Sequence, residues 1–164
     1  AALGPVNVMF PMVTIPDELA QAREMMTEAV ADLRRAGAAC ALPRMGIMIE
    51  VPAAALTAEA FDADFYSIGS NDLIQYVTAS ARDSGVLAGL ADGLNPAVVE
   101  LIGRTVAAAE ARGVEVSLCG DMASTPSLVG TLLDTGLRAL SCAPAQIGPV
   151  KLAISRHAGK NPTD

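Results

Sequence analysis

Four side chains that can do chemistry follow short apolar runs of the sequence. Glu50 stands after one run, Asn71 and Asp72 follow the next, and Cys119 ends a later one. In parallel α/β folds the carboxyl ends of the strands meet on one face, and enzymes of this kind carry their active sites there. The positions of these four residues therefore predict that they share a cleft.

The two carboxylates, Glu50 and Asp72, point to metal binding. A carboxylate in an apolar layer is unfavourable unless something pairs with it, and two carboxylates in one cleft either share a proton or hold a cation. A site with few protein oxygens, completed by water and substrate oxygens, favours Mg²⁺. The alternative for each acid is to cap a helix, which is the ordinary role of an Asn-Asp pair.

An arginine and a cysteine are the remaining candidates. Arg82 lies in a loop, where its guanidinium could bind a phosphate in bidentate fashion or form a surface salt bridge. Cys119 precedes Gly120, a setting that can expose a thiol to a cleft, although a buried inert thiol is the common alternative. We interpret Cys40 and Cys142 as buried and inert.

Composition limits the class of protein. The 164 residues are 52% hydrophobic but only 3% aromatic, which suits a single domain of Ala-rich helices over buried parallel strands. A net charge of −7 argues against nucleic acid as a partner, and the apolar runs are too short for a membrane span. Three cysteines without a C-x-x-C pair favour a cytoplasmic location.

Short apolar runs alternate with helical patterns, which predicts an α/β fold built from βα units. We expect five strands, at 6–12, 46–51, 65–69, 114–119 and 137–143. We expect helices at 17–36, after 52, after 71, at 95–113 as the longest, and at 145–156, with a frayed tail at 157–164. A Gly-rich loop is expected at 80–94, and the Asn-Asp pair is expected to cap the third helix.

Four ordered motifs between residues 6 and 156 resemble those of the phosphoenolpyruvate-utilising enzymes. They are VMFPM at 8–12, MIEVPAA at 48–54, SIGSNDL at 67–73 with QY at 75–76, and LCGD at 118–121. The resemblance is nearest to the Enzyme I branch, which serves the bacterial sugar phosphotransferase system. Four separated motifs in the right order are far more specific than any one of them.

The resemblance implies part of a TIM-like (β/α)8 barrel that binds phosphoenolpyruvate with Mg²⁺. It implies that Glu50 and Asp72 hold the metal, that Asn71 and Asp72 contact the substrate, that Arg82 holds the phosphate, and that Cys119 protonates the enolpyruvate carbon. The phosphoryl group would pass to a histidine on a separate domain, releasing pyruvate, and onward to the phosphocarrier protein HPr. A cytoplasmic homodimer is also implied.

The chain departs from this pattern in several places. Asp121 stands where the family commonly has Glu, and Ala81 stands where Asp is usual. The first three strands, two further phosphate-binding arginines and the phosphohistidine domain are absent, and His157 is not in a phosphohistidine motif. We therefore expect a piece of a longer protein that is weak or inactive alone.

Two other interpretations stay open. The barrel could belong to a pyruvate phosphate dikinase or a phosphoenolpyruvate synthase, which share the SIGSND motif. The chain could also act as a non-catalytic dimerisation module, since five strands cannot close an eight-stranded barrel.

Overall fold

The computed structural model describes residues 4–80 and 94–159, and within them four parallel strands form one sheet. The strands lie in the order β1-β2-β3-β4 and comprise Asn7–Phe10, Arg44–Ile49, Phe65–Gly69 and Glu115–Cys119. The helices α1 to α6 comprise Pro16–Arg35, Pro52–Leu56, Ser70–Thr78, Pro96–Arg112, Val129–Asp134 and Ile147–Ala158. Parallel neighbours joined through helices confirm the predicted α/β class.

The expected fifth strand at 137–143 is wrong as a full strand. It makes a single parallel bridge, between Leu118 and Leu140. Two backbone hydrogen bonds support the bridge: Ser141 N–H donates to the Leu118 carbonyl at 2.8 Å, and Leu118 N–H donates to the Ala139 carbonyl at 3.0 Å. The chain then enters a 3-10 turn at Pro144, so the pairing cannot extend.

Two helix expectations also change. The longest described helix is α1, with 20 residues, whereas α4 has 17. α4 begins as expected at Asn95, whose side chain accepts a hydrogen bond from Ala97 N–H at 2.9 Å, and Gly113 ends it at φ 66°. Among the described helices, none combines the length and apolar composition of a membrane span.

The core lies between the sheet and its covering helices. Ile47, Ile49, Tyr66, Ile68 and Leu118 are at most 1% exposed and point to this side. Side chains alternate along a strand, so the residues between them point to the opposite side of the sheet. That opposite side carries the functional candidates at its carboxyl edge.

Candidate active site

Strand register brings the candidate acid and the candidate thiol into one row. Ile49 pairs with Ile68, which places Glu50 next to Gly69, and Gly69 pairs in turn with Cys119. The absence of a side chain at Gly69 makes this row possible. A Cβ there would lie 2.7 Å from Glu50 Oε2 and 2.9 Å from Met48 Sδ, so the Glu50 carboxylate occupies the space that a side chain would fill.

Glu50 is a buried carboxylate with one backbone donor. It is 3% exposed, and its Oε1 accepts a hydrogen bond from Met12 N–H at 2.7 Å. Burial raises the pKa of Glu50 above its ordinary value, and the nearby Asp72 carboxylate raises it further, while the Met12 N–H acts in the opposite direction. The Met12 N–H therefore compensates the ionised form of Glu50 only in part.

The donor that serves Glu50 sits in an unusual backbone conformation. Met12 has φ 57°, in the left-handed region that residues other than glycine seldom adopt. Such strain persists only where surrounding contacts impose it, and it is concentrated at functional sites. Met12 combines this conformation with the hydrogen bond from its N–H to Glu50 Oε1.

Asp72 completes the acidic pair from the first turn of α3. It is partly buried, and its Oδ1 accepts a hydrogen bond from Gln75 Nε2 at 3.0 Å. Within residues 4–80 and 94–159, neither Glu50 nor Asp72 forms an ion pair, and no cluster of three or more His, Cys, Asp and Glu is present. Two neighbouring carboxylates without an ion-pair partner in this part of the chain fit a cation that takes its other ligands from water or substrate, as Mg²⁺ does.

Asn71 does not cap its own helix, contrary to expectation. The N-cap position of α3 is Gly69, without a side-chain bond, and Asn71 Oδ1 instead accepts a hydrogen bond from Asp121 N–H at 2.9 Å. Because its oxygen is engaged, the groups of the Asn71 side chain that remain for a ligand are the N–H donors of its amide. This polarity suits a carboxylate or phosphate.

A second bond fastens the start of α3 to the turn after β4. The fully buried Ser70 donates its Oγ hydrogen to the Cys119 carbonyl at 2.7 Å. Gly120, with φ 93°, allows this approach, because a Cβ at that position would overlap Ser70 Oγ and lie 2.8 Å from Asn71 Oδ1. The turn that carries Asp72 is thereby held against the turn that carries Cys119.

The Cys119 thiol is half-buried and lies against β3. Its sulfur donates to the Ile68 carbonyl at 3.5 Å and accepts from Ser67 Oγ at 3.8 Å. Cys40 and Cys142 are also only partly buried, so their predicted full burial is wrong. Cys40 donates to the Val30 carbonyl at 3.6 Å, away from the acidic pair.

Two further candidates fall outside this cleft. Arg82 lies outside the described residues. His157 does not lie in a frayed tail as expected, because it belongs to α6 and its Nε2 lies 3.0 Å from Asp134 Oδ1 on α5. It serves as a link between two helices.

Sequence reasoning selected Glu50, Asp72 and Cys119 as candidates but missed the residues that place them. Met12, Ser67 and Gly69 all lie inside the four motifs, yet their roles depend on strand register and backbone conformation, which no spacing rule gives. The glycine within SIGSNDL was the one available signal, since a glycine in a strand often marks a close approach.

Comparison with known proteins identifies the family of the chain. Residues 1–158 match the model of the PEP-utilising enzyme, PEP-binding domain. The chain belongs to this family. A phosphoenolpyruvate-protein phosphotransferase from Haloferax volcanii is 42% identical over 152 residues, and one from Cupriavidus necator is 42% identical over 157. A multiphosphoryl transfer protein from Rhodobacter capsulatus is 42% identical over 159 residues.

The chain is much shorter than these relatives. It aligns over 92% of its own length with the Haloferax protein and over 94% with the Cupriavidus protein, and it spans 27% of each. It aligns over 96% of its length with the Rhodobacter protein and spans 18% of it.

Solved structures agree on the fold of this PEP-binding domain. A citrate lyase from Burkholderia xenovorans superposes with a TM-score of 0.65 at 19% identity, covering 91% of the chain and 48% of that structure. A malate synthase from Haloferax volcanii gives 0.62 at 18% identity, covering 89% and 40%. The fold is part of a TIM-like barrel, and the four described strands form an open segment of it.

Proposed function

We propose that this PEP-binding domain holds phosphoenolpyruvate with Mg²⁺ and serves transfer of its phosphoryl group to a histidine on another domain. The observation that supports the proposal is the buried Glu50 beside Asp72, without an ion-pair partner among the described residues, in one row with Cys119. A cation accounts for the acidic pair, and an acid is what the enolpyruvate carbon requires.

Glu50 and Asp72 would hold the metal. A bound Mg²⁺ neutralises charge on phosphate oxygens, and phosphoryl transfer depends mainly on such neutralisation and on positioning. The Met12 N–H and Gln75 Nε2 orient the two carboxylates from outside. Asn71 would donate from its amide to the substrate, and Arg82 would hold the phosphate.

Cys119 would supply a proton to the enolpyruvate carbon. The S–H bond breaks, a C–H bond forms at the methylene carbon to give pyruvate, and the electron pair remains on sulfur as a thiolate. Water then returns the proton. In reverse, the thiolate takes a proton from the pyruvate methyl group.

A metal titration tests the acidic pair on the chain itself. We expect Mg²⁺ to raise the free energy of unfolding of the wild type, since a ligand that binds only the folded state stabilises it. Asp72→Asn should abolish this gain, whereas Asp17→Asn, at the exposed first turn of α1, should keep it. Equal gains in both variants would remove Asp72 from the metal site.

Exchange of the pyruvate methyl protons with deuterium tests the thiol. In the full-length protein, we expect Mg²⁺-dependent exchange to be lost in Cys119→Ala and kept in Cys142→Ala, a matched change at another partly buried cysteine. Unchanged exchange in Cys119→Ala would exclude the proposed acid.

The names of the relatives favour the phosphotransferase branch over the dikinase and synthase. Relatives with 42% identity over nearly the whole chain are named phosphoenolpyruvate-protein phosphotransferase. We therefore propose HPr as the downstream acceptor and a homodimer as the assembly. Phosphorylation of HPr by the full-length protein, without nucleotide, tests the branch, and sedimentation at several concentrations tests the dimer. The isolated chain should show little transfer.

A further inference from the structure

A buried serine on β3 faces the sulfur of Cys119. Ser67 is 8% exposed, and its hydroxyl makes one hydrogen bond within the described residues, to Cys119 Sγ at 3.8 Å. Buried hydroxyls normally have a partner, and this one has the group that the proposed reaction ionises. The pairing is specific, because Ser67 and Cys119 lie on neighbouring strands and point to the same side of the sheet.

We propose that Ser67 is a positioning residue for Cys119, which holds the thiol in the cleft and stabilises the thiolate that remains after proton transfer. The inference rests on the function proposed above, in which Cys119 protonates the enolpyruvate carbon.

The two hydrogen bonds of Cys119 favour different protonation states. The bond to the Ile68 carbonyl, at 3.5 Å, requires the thiol hydrogen and is lost when the proton leaves. The bond from Ser67 remains and strengthens, because a donor binds an anion more tightly than a neutral acceptor. Within residues 4–80 and 94–159, no Lys or Arg bonds to the sulfur, so Ser67 is the side-chain donor it has.

The sulfur of Cys119 therefore has a hydrogen-bond partner both before and after the proton transfer. While the thiol is protonated, the Ile68 carbonyl keeps its hydrogen away from solvent, and when the hydrogen moves to the methylene carbon, the Ser67 hydroxyl compensates the charge left on sulfur. Return of a proton from water restores the first arrangement. No further reactant is required.

A pair of serine variants separates this role from a general effect on the strand. Ser67→Ala removes the donor, and Ser117→Ala makes the same change at the residue that pairs with Ser67 in register, whose hydroxyl makes no hydrogen bond in the described part of the chain. The first readout is the rate at which iodoacetamide alkylates Cys119 at fixed neutral pH, followed peptide by peptide, with Cys40 as an internal reference.

We expect Ser67→Ala to slow alkylation of Cys119 about three- to tenfold, because the sulfur loses the hydroxyl that holds it in place and bonds to its anionic form. Cys40 should react at its wild-type rate, and Ser117→Ala should match the wild type. In the full-length protein, Ser67→Ala should lower the kcat of pyruvate methyl exchange about tenfold and leave the KM for pyruvate unchanged.

Equal alkylation and equal kcat in the two serine variants would overturn the proposal. If circular dichroism shows that Ser67→Ala does not fold, Ser67→Cys replaces it, because cysteine is of similar size and is a weaker donor. A wild-type kcat in Ser67→Cys would also overturn the proposal. Failure of the underlying function looks different, because exchange would then persist in Cys119→Ala.

Discussion

Replacing Gly69 with alanine tests whether the strand register, rather than composition alone, builds the site. Gly69 has an ordinary φ of −86°, so alanine can adopt this backbone conformation without strain. The substitution therefore acts through the volume of the added methyl group. The new Cβ would lie 2.7 Å from Glu50 Oε2, 2.9 Å from Met48 Sδ and 3.0 Å from Glu50 Cβ. The flexible Met48 can move, but the Glu50 carboxylate is held by the Met12 N–H at 2.7 Å.

The size of the effect follows from two opposing contributions. Forcing a methyl group into a filled interior costs about 1–3 kcal/mol, while removing a glycine from the unfolded chain stabilises by about 0.4–1 kcal/mol. We therefore expect Gly69→Ala to lose roughly 1–2 kcal/mol of unfolding free energy, and to lose most of its stabilisation by Mg²⁺ because Glu50 is displaced.

Gly103→Ala on α4 is the matched control. Among residues 4–80 and 94–159, nothing lies within 4 Å of a Cβ at Gly103, so this variant should gain about 1 kcal/mol from helix propensity. Urea unfolding followed by far-UV circular dichroism, with and without Mg²⁺, measures both variants, and the chain contains no Trp for a fluorescence assay. If Gly69→Ala were as stable as the wild type and responded normally to Mg²⁺, the space at residue 69 would not be what positions the Glu50 carboxylate.

Three further predictions concern the same elements. Glu50→Gln should stabilise the Mg²⁺-free chain at neutral pH, because it removes a carboxyl group whose pKa is raised by burial. The wild type loses stability as the pH rises from the pKa of Glu50 in the unfolded chain through its raised pKa in the folded chain, so the difference between the two proteins should vanish in acid. Added Mg²⁺ should reverse the difference. Gly120→Ala should cost about 2 kcal/mol or more in urea unfolding, because φ 93° strains alanine and its Cβ overlaps Ser70 Oγ. His157→Ala should cost at most about 1 kcal/mol, since its link to Asp134 is partly exposed, and should leave phosphoryl transfer intact.

The elements most accurately predicted from sequence are those whose pattern is local. The strand at 65–69 is found as predicted, and the others that form differ by a few residues at their ends. The segment 137–143 has the same apolar composition but pairs only through Leu118 with Leu140. Whether an apolar run becomes a full strand depends on the length of its neighbour and on the turn that follows, and neither can be judged from the run itself.

The candidate residues could be selected from the sequence, but the contacts that position them could not. Residue type and strand-end location suffice to select Glu50, Asp72 and Cys119. The capping role expected for Asn71 failed because a nearby backbone donor, Asp121 N–H, takes its oxygen instead. That donor is 50 residues away in sequence and enters the site only through pairing of β3 with β4.

The row formed by Glu50, Gly69 and Cys119 gives this geometry its significance for the proposed function. β2 and β4 flank β3, and neighbouring strands lie about 4.8 Å apart, so the backbones that carry the acid and the thiol are roughly 10 Å apart. Glycine between them leaves the space that the Glu50 carboxylate occupies. Under the function proposed above, phosphoenolpyruvate bound across β3 would place its phosphate and carboxylate near the acidic pair and its methylene carbon near the thiol. A bulkier residue at position 69 would lie between the acid and the thiol.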